Sequence, residues 1–525
     1  MRYLPSLAAF AATTLFNQVL ARGSRSTPAS SPQINQNFSL VQVNFTPGVN
    51  TSKVSPLPRD ILALSIEFCY IVDYLGDVGK PNNLSFNLLS AIQSIIGAPP
   101  VIRIGGHTQD NTTITNVFEP GNLEAVNVTF NGGLFKVLNE NVPENQSFVF
   151  GLNFGQNNVE YPLAEVKGIE ANVYASRIDA YELGNEPDSY AGRGKRTRPW
   201  NVQTYAQQQV DWLTQIKSEV TNPSHGFQLG AFASQPVDQG NFSIPEINAL
   251  GVPEDVGNVK FESDHTYPFS QCTPEQAAEI SLPALMNHIN TIETFSQFSP
   301  SIASAASINT SFVLGETGSV SCHGAANISN TFGAALWNLD LMLHGATLGM
   351  RRVHFHNGSP FYYSVWQPVE VNGTAPRAWP AFSSLIYVAG ALSGTVNPTI
   401  YELEALSSDT LALYAIYEGD YFYKILALNL EYYSAADAAA GKARPQVYLN
   451  VSSGLGDNVR AFALSGPNAD TTDAGEVTTG GSTYVNGTPV SVSGLPVILY
   501  PANGIVPINA SEALIIERNP NSTTT

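Results

Sequence analysis

At 525 residues, 43% hydrophobic and 13% charged, the chain is too long for one ordinary core and too apolar for a disordered one, so a folded protein of at least two domains is expected. A formal net charge of −19 and a pI near 4.8 repel nucleic acid and other polyanions at neutral pH. They suit an acidic medium and make a polyanionic polymer an awkward substrate.

Residues 1–21 carry an early charge at Arg2, an apolar run from Leu4 to Phe16 and the ending Val19-Leu20-Ala21, the pattern of a cleaved signal peptide. No later stretch is long and charge-free enough to span a bilayer, so the protein is expected to be secreted, with no membrane partner. About sixteen Asn-x-Ser/Thr sites, among them Asn37, Asn83, Asn111, Asn241, Asn309 and Asn450, agree with an extracellular glycoprotein. Within the next segment, 22–60, Phe38 to Asn44 alternates apolar and polar residues and is expected to supply a strand to the C-terminal domain.

From 61 to 390, short apolar runs alternate with amphipathic helical stretches, which predicts an α/β fold of the (β/α)8 TIM barrel type. The eight expected strands are Ile61 to Tyr70, Val101 to Gly105, Ser147 to Asn153, Ile178 to Leu183, Gln228 to Phe232, Lys260 to His265, Phe312 to Gly315 and Arg352 to His356. Tyr205 to Val220 spaces Val210, Leu213, Ile216 and Val220 as one face of a helix. Residues 391–525 change to short alternating runs split by Gly, Asn, Asp and Ser turns, including Thr410 to Tyr417 and Tyr421 to Leu430, and predict a β-sandwich.

Active groups of such a barrel sit at the C-terminal ends of its strands, where the loops form one concave face. The fourth strand runs out in Gly184-Asn185-Glu186-Pro187 and the seventh in Gly315-Glu316-Thr317-Gly318, so two carboxylates face one cavity. Cleaving a glycosidic bond takes a protonated acid at the leaving oxygen and a second carboxylate near the anomeric carbon, which acts as nucleophile when the two are about 5 to 5.5 Å apart. Glu186 is thus the candidate acid/base and Glu316 the candidate nucleophile, with Asn185 offering an amide to a substrate hydroxyl. The basic run from Arg193 to Arg198 reads as a solvated, protease-sensitive turn, with a patch that meets an acidic glycan as the alternative. Three cysteines, Cys69, Cys272 and Cys322, lack metal-ligand spacing and allow one bridge and one buried thiol.

Taken together, Arg103-Ile104-Gly105-Gly106, Asn185-Glu186-Pro187, Asp264-His265-Thr266-Tyr267, Glu316-Thr317-Gly318-Ser319 and the Arg352-to-His356 strand, followed by a β-sandwich, resemble glycoside hydrolase family 79, the β-glucuronidase and heparanase family. The resemblance implies that Tyr267 hydrogen-bonds the nucleophile and that Glu67 and His107 reach sugar hydroxyls. It implies a glucuronate carboxylate site in the backbone of the loop after Glu316, here Cys322, His323 and Gly324, where heparanase-like members have glycines. Cys272 and Cys322 then fall on neighbouring loops and can form a disulfide, leaving Cys69 a reduced core thiol. Tyr362, or its neighbour Tyr363, would complete the sugar pocket.

The expected activity is that of a retaining exo-β-glucuronidase acting on terminal glucuronic acid, with 4-O-methyl-glucuronic acid as a second candidate sugar, on glycans or glycosides with no metal or organic cofactor. An endo-acting heparanase-like enzyme, a barrel glycosidase for a neutral sugar and a non-catalytic glycan-binding protein are the alternatives.

Overall fold

Runs such as Leu62-Ala-Leu-Ser-Ile and Phe148-Val-Phe-Gly-Leu have no polar face to show to water, so they become strands covered on both sides. In a computed structural model, which describes residues 40–43, 54–114, 128–233, 242–456, 458–491, 498–501 and 504–519, eight of them close a parallel barrel. In chain order these are β1 (Leu62–Glu67), β2 (Val101–Gly105), β3 (Phe148–Leu152), β4 (Ile178–Leu183), β5 (Gly226–Phe232), β6 (Val259–Thr266), β7 (Ser311–Thr317) and β8 (Arg352–Asn357). β8 pairs with β1, Val353 opposite Leu62, which closes the ring.

The first run is shorter than its apolar stretch suggested. Backbone pairing stops at Glu67 and Phe68–Tyr70 form a 3-10 turn, so Glu67 ends a strand and points into the barrel mouth. The helix expected over Tyr205 to Val220 spans Val202–Lys217. Its start is fixed three residues earlier by Asn201, whose side chain accepts from the Thr204 amide while Thr204 returns a bond to the Asn201 backbone.

Beyond the barrel, Pro398–Glu402, Leu411–Glu418, Tyr421–Asn429, Glu512–Arg518 and Asn458–Ser465 lie side by side in an antiparallel sheet. A second sheet faces it, in which Leu40–Gln42 pairs in parallel with Gln446–Asn450, and Ile505–Asn509 flanks the other edge. Val43, Leu413, Ile425, Leu449, Val506 and Leu514 fill the space between the sheets. The opposite face of the larger sheet, through Ile400, Tyr414 and Leu426, shares the core of the barrel beneath helices Phe332–Leu348 and Ala381–Leu392.

Among the described residues no helix is long and apolar enough to cross a membrane. The expected signal peptide, Asn37 and Asn241 lie outside the described residues.

Candidate active site

The mouth of the barrel is built around a buried arginine. Arg103 points inward from β2 with no exposed surface and donates to Glu316 Oε2 (2.9 Å), Glu182 Oε1 (2.6 Å), Asn185 Oδ1 (2.8 Å) and Ser65 Oγ (3.0 Å). A guanidinium buried this deeply is stable only with such partners. It therefore ties β1, β2, β4 and β7 into one network. Sequence reasoning noted Arg103 as a motif residue without giving it a part; an arginine inside an otherwise apolar strand was the available signal.

Glu316 is the next-to-last residue of β7, 6% exposed. Its Oε1 accepts from the Tyr267 hydroxyl (2.8 Å), and His356 Nδ1 stands 3.7 Å from Oε2. Burial works to raise this carboxyl, but His356, His265 and Arg103 outweigh it and hold it below the usual carboxylate range. A charged, fixed carboxylate is what a nucleophile requires.

Glu186 lies one turn beyond β4. Gly184 (φ 90°) and Glu186 itself (φ 52°) take left-handed conformations, and the Glu186 amide donates to Ala231 O at 2.9 Å. A glutamate held in that region carries backbone strain of about 1–3 kcal/mol, a cost that the Ala231 bond and Pro187 offset by pinning the turn. Its Oε2 accepts from Arg193 Nη2 at 2.6 Å and its Oε1 faces His265 Nδ1 at 3.5 Å. Glu186, His265 and Glu316 each bring one ligand-type atom within 4.8 Å of the others. That spacing could hold a metal ion, but Arg103 and Arg193 already neutralise the two carboxylates, which disfavours a further cation.

Glu67, at the end of β1, is 7% exposed and spends both oxygens inside the protein. Oε1 accepts from the Thr108 amide (2.8 Å) and hydroxyl, and Oε2 accepts from the His107 amide (3.2 Å) and faces His356 Nε2 at 3.5 Å. Burial raises its carboxyl, but His356 and Thr108 bring it to about 2. Gly106 makes this possible, since a Cβ there would meet a Glu67 oxygen at 2.5 Å. The imidazole of His107 is exposed at the rim, with Nδ1 3.4 Å from Arg193 Nη1. Asn185 is 2% exposed and its orientation is set by Arg103.

After β7 the chain makes three left-handed residues in a row, Cys322 (φ 61°), His323 (φ 76°) and Gly324 (φ 80°). Two of them are not glycine, so the conformation has to be imposed from outside. A disulfide joins Cys322 to Cys272. Gln271 Nε2 donates to Cys322 O (2.9 Å) and Gly324 O (2.6 Å), the Tyr362 amide donates to His323 O (2.7 Å), and the His323 ring stacks on Phe361 at 4.3 Å. Gly324 gives its own amide to Val320 O. Tyr363, not Tyr362, faces the interior: it is 7% exposed with its ring 5.7 Å from that of Tyr267, whereas Tyr362 is 43% exposed. Cys69 is buried, and burial pushes its thiol up to about 12, which keeps it protonated.

The basic run is only in part the solvated turn expected of it: Arg193, Gly194, Thr197 and Arg198 are exposed, but several of its cations have partners. Arg193 pairs with Glu186, Lys195 lies 3.4 Å from the buried Asp110, and Arg196 is 8% exposed with its guanidinium 4.5 Å from the Phe154 ring. A run of like charges is normally pushed into water; here buried carboxylates and aromatic faces are near enough to pull the side chains in.

Residues 413–515 match the model of the glycosyl hydrolase family 79 C-terminal β domain. The chain is 28% identical over 437 residues to a β-glucuronidase of Aspergillus niger, covering 78% of this chain and 79% of that one. It is 27% identical over 435 residues to a β-glucuronidase of Neurospora crassa, with coverages of 75% and 76%. The fold is similar to that of a 4-O-α-L-rhamnosyl-β-D-glucuronidase from Fusarium oxysporum, with a TM-score of 0.76 at 24% identity over 91% of this chain and all (100%) of that one. A family 51 α-L-arabinofuranosidase from Bifidobacterium longum has a TM-score of 0.56 at 12% identity, covering 93% of this chain and 100% of that one. The domain behind the barrel matches the C-terminal β domain of glycosyl hydrolase family 79, and the chain that carries it is a glycoside hydrolase similar over about three quarters of its length to fungal β-glucuronidases.

Proposed function

We propose that this protein is a secreted retaining exo-β-glucuronidase that removes terminal β-D-glucuronic acid from glycans or glycosides. The observation that carries the mechanism is the approach of a Glu186 oxygen to within 4.8 Å of a Glu316 oxygen across the barrel mouth, which supports direct attack by Glu316 over a water held between a base carboxylate and the anomeric carbon. Glu316 attacks the anomeric carbon while Glu186 protonates the leaving oxygen; Glu186 then takes a proton from water, which cleaves the glycosyl ester and releases the sugar. The Tyr267 hydroxyl and Arg103 hold Glu316 in line for attack.

The glucuronate reading draws on the family, on the fungal β-glucuronidase relatives and on the loop after β7. With the carbonyls of Cys322, His323 and Gly324 all bound from behind, the Cys322 and His323 amides are the loop's candidates to receive a carboxylate. Backbone amides do this without a full positive charge. The signal-peptide pattern and the sequons support secretion.

Proton NMR of the first-formed sugar during hydrolysis of a β-glucuronide tests the mechanism: the β anomer is expected, and initial α anomer would contradict the nucleophile assignment.

A further inference from the structure

Glu186 has both oxygens engaged, one facing His265 Nδ1 at 3.5 Å and the other bonded to Arg193 Nη2 at 2.6 Å. Burial alone would raise its carboxyl, yet the His265 contact and the Arg193 guanidinium outweigh it and bring it to about 2. A proton donor needs the opposite state. One partner therefore has to give way before a leaving oxygen can be protonated. His265 is 1% exposed on β6, beside Glu316, and cannot retreat without opening the barrel. Arg193 sits on the turn beyond Ser189 with 37% of its side chain exposed, so Arg193 is the group that moves.

Away from Glu186, the guanidinium finds its acidic neighbours committed elsewhere. Asp188 accepts from the Ala233 amide (3.1 Å), and the fully buried Asp110 accepts from the Tyr190 hydroxyl (2.7 Å) and the Asn185 amide (3.2 Å) and pairs with Lys195. Its remaining partner, His107, brings no negative charge to replace the carboxylate. A planar arginine fork is matched by an anionic ligand group such as a carboxylate or sulfate. Lys195 and Arg196 are held by Asp110 and Phe154, so this selection falls to Arg193.

Resting on the glucuronidase reading, we propose that Arg193 is a specificity-determining residue. It exchanges Glu186 for an anionic group on the leaving-group side of the scissile bond, and so frees Glu186 to donate its proton. The side follows from the chemistry, because the acid stands next to the leaving oxygen and Arg193 lies at the rim beyond it. A net charge of −19 repels a long polyanion, but a single anion beside the bond meets Arg193 at short range, where the local pairing dominates.

The test compares kcat/KM for 4-nitrophenyl and 3-carboxy-4-nitrophenyl β-D-glucuronides in the wild type, Arg193→Gln and Arg193→Lys. Intrinsic leaving-group ability cancels between proteins. The carboxylated-to-plain ratio is expected to fall about tenfold or more in Arg193→Gln and by less in Arg193→Lys, whose ammonium keeps the charge without the planar fork. On the plain substrate the alkaline limb of kcat/KM should move to higher pH in Arg193→Gln, because His265 alone then opposes the Glu186 proton while the Glu316 carboxylate favours it. A ratio equal in all three proteins overturns the proposal, whatever the pH limb does. Should the wild type release nitrophenol from neither glucuronide, the substrate reading fails, and the same aglycone pair on whichever glycoside is cleaved still reads the role of Arg193.

Discussion

The barrel and the β domain meet over a cluster of buried charge whose removal tests how the two are held together. His288, on helix His288–Ser296 and fully buried, faces Asp340 through Nδ1 (3.0 Å) and Glu402 of the β domain through Nε2 (2.9 Å). Tyr414 donates to Asp340 (2.7 Å), and His344 Nδ1 faces Glu402 (2.9 Å). Burial works to lower the His288 imidazole, but Asp340 and Glu402 outweigh it and raise it from 6.5 to about 10; Glu402, whose burial is outweighed by His288 and His344, falls from 4.5 to about 2. Holding a proton over that range corresponds to about 5 kcal/mol, and breaking a buried pair from one side costs about 3–5 kcal/mol. The His288→Gln variant is therefore expected to lose about 3–5 kcal/mol in denaturant unfolding at about pH 5.5. The His288 contribution is complete below the unfolded imidazole value and lost as pH rises through about 10; that of Glu402 is complete above the unfolded carboxylate value and lost as pH falls toward about 2. The gap between the two proteins should accordingly shrink at high pH. Equal stabilities at about pH 5.5, or a gap unchanged beyond about pH 10, would refute the reasoning.

Replacing Glu316 by Gln should leave folding and ligand binding intact while lowering kcat by roughly 10⁴-fold; turnover near the wild-type rate removes Glu316 as nucleophile. Tyr267→Phe deletes the bond to Glu316 Oε1, and single-turnover kinetics should show glycosyl transfer slowed about 10- to 100-fold with little change in KM. Cys272→Ser unties the loop that carries Cys322, which should cost about 2–4 kcal/mol of stability. It should also raise KM for a glucuronide while sparing any residual activity on a neutral glycoside, and an unchanged KM would separate the disulfide from carboxylate binding.

The eight barrel strands were legible because parallel strands covered on both faces read as unbroken apolar runs. That signal cannot place an end, as Ile61 to Tyr70 shows: Phe68 to Tyr70 are as apolar as the strand but turn away from it. Glu186 and Glu316 were legible because their place in the strand order put both carboxylates at one mouth. What Arg103 and Arg193 do was not, since a long side chain's destination depends on loops whose paths leave little trace in local sequence. The cluster around His288 was equally hidden. Its five titratable members sit on four elements whose meeting is a tertiary event, with His288 and Glu402 114 residues apart in the chain.

The central claim is met most directly by release of nitrophenol from the 4-nitrophenyl β-glucuronide beside the β-glucoside and β-xyloside at mildly acidic pH. Selective release from the glucuronide is the predicted result; selective cleavage of a neutral glycoside would keep the two-glutamate chemistry and contradict the glucuronate assignment.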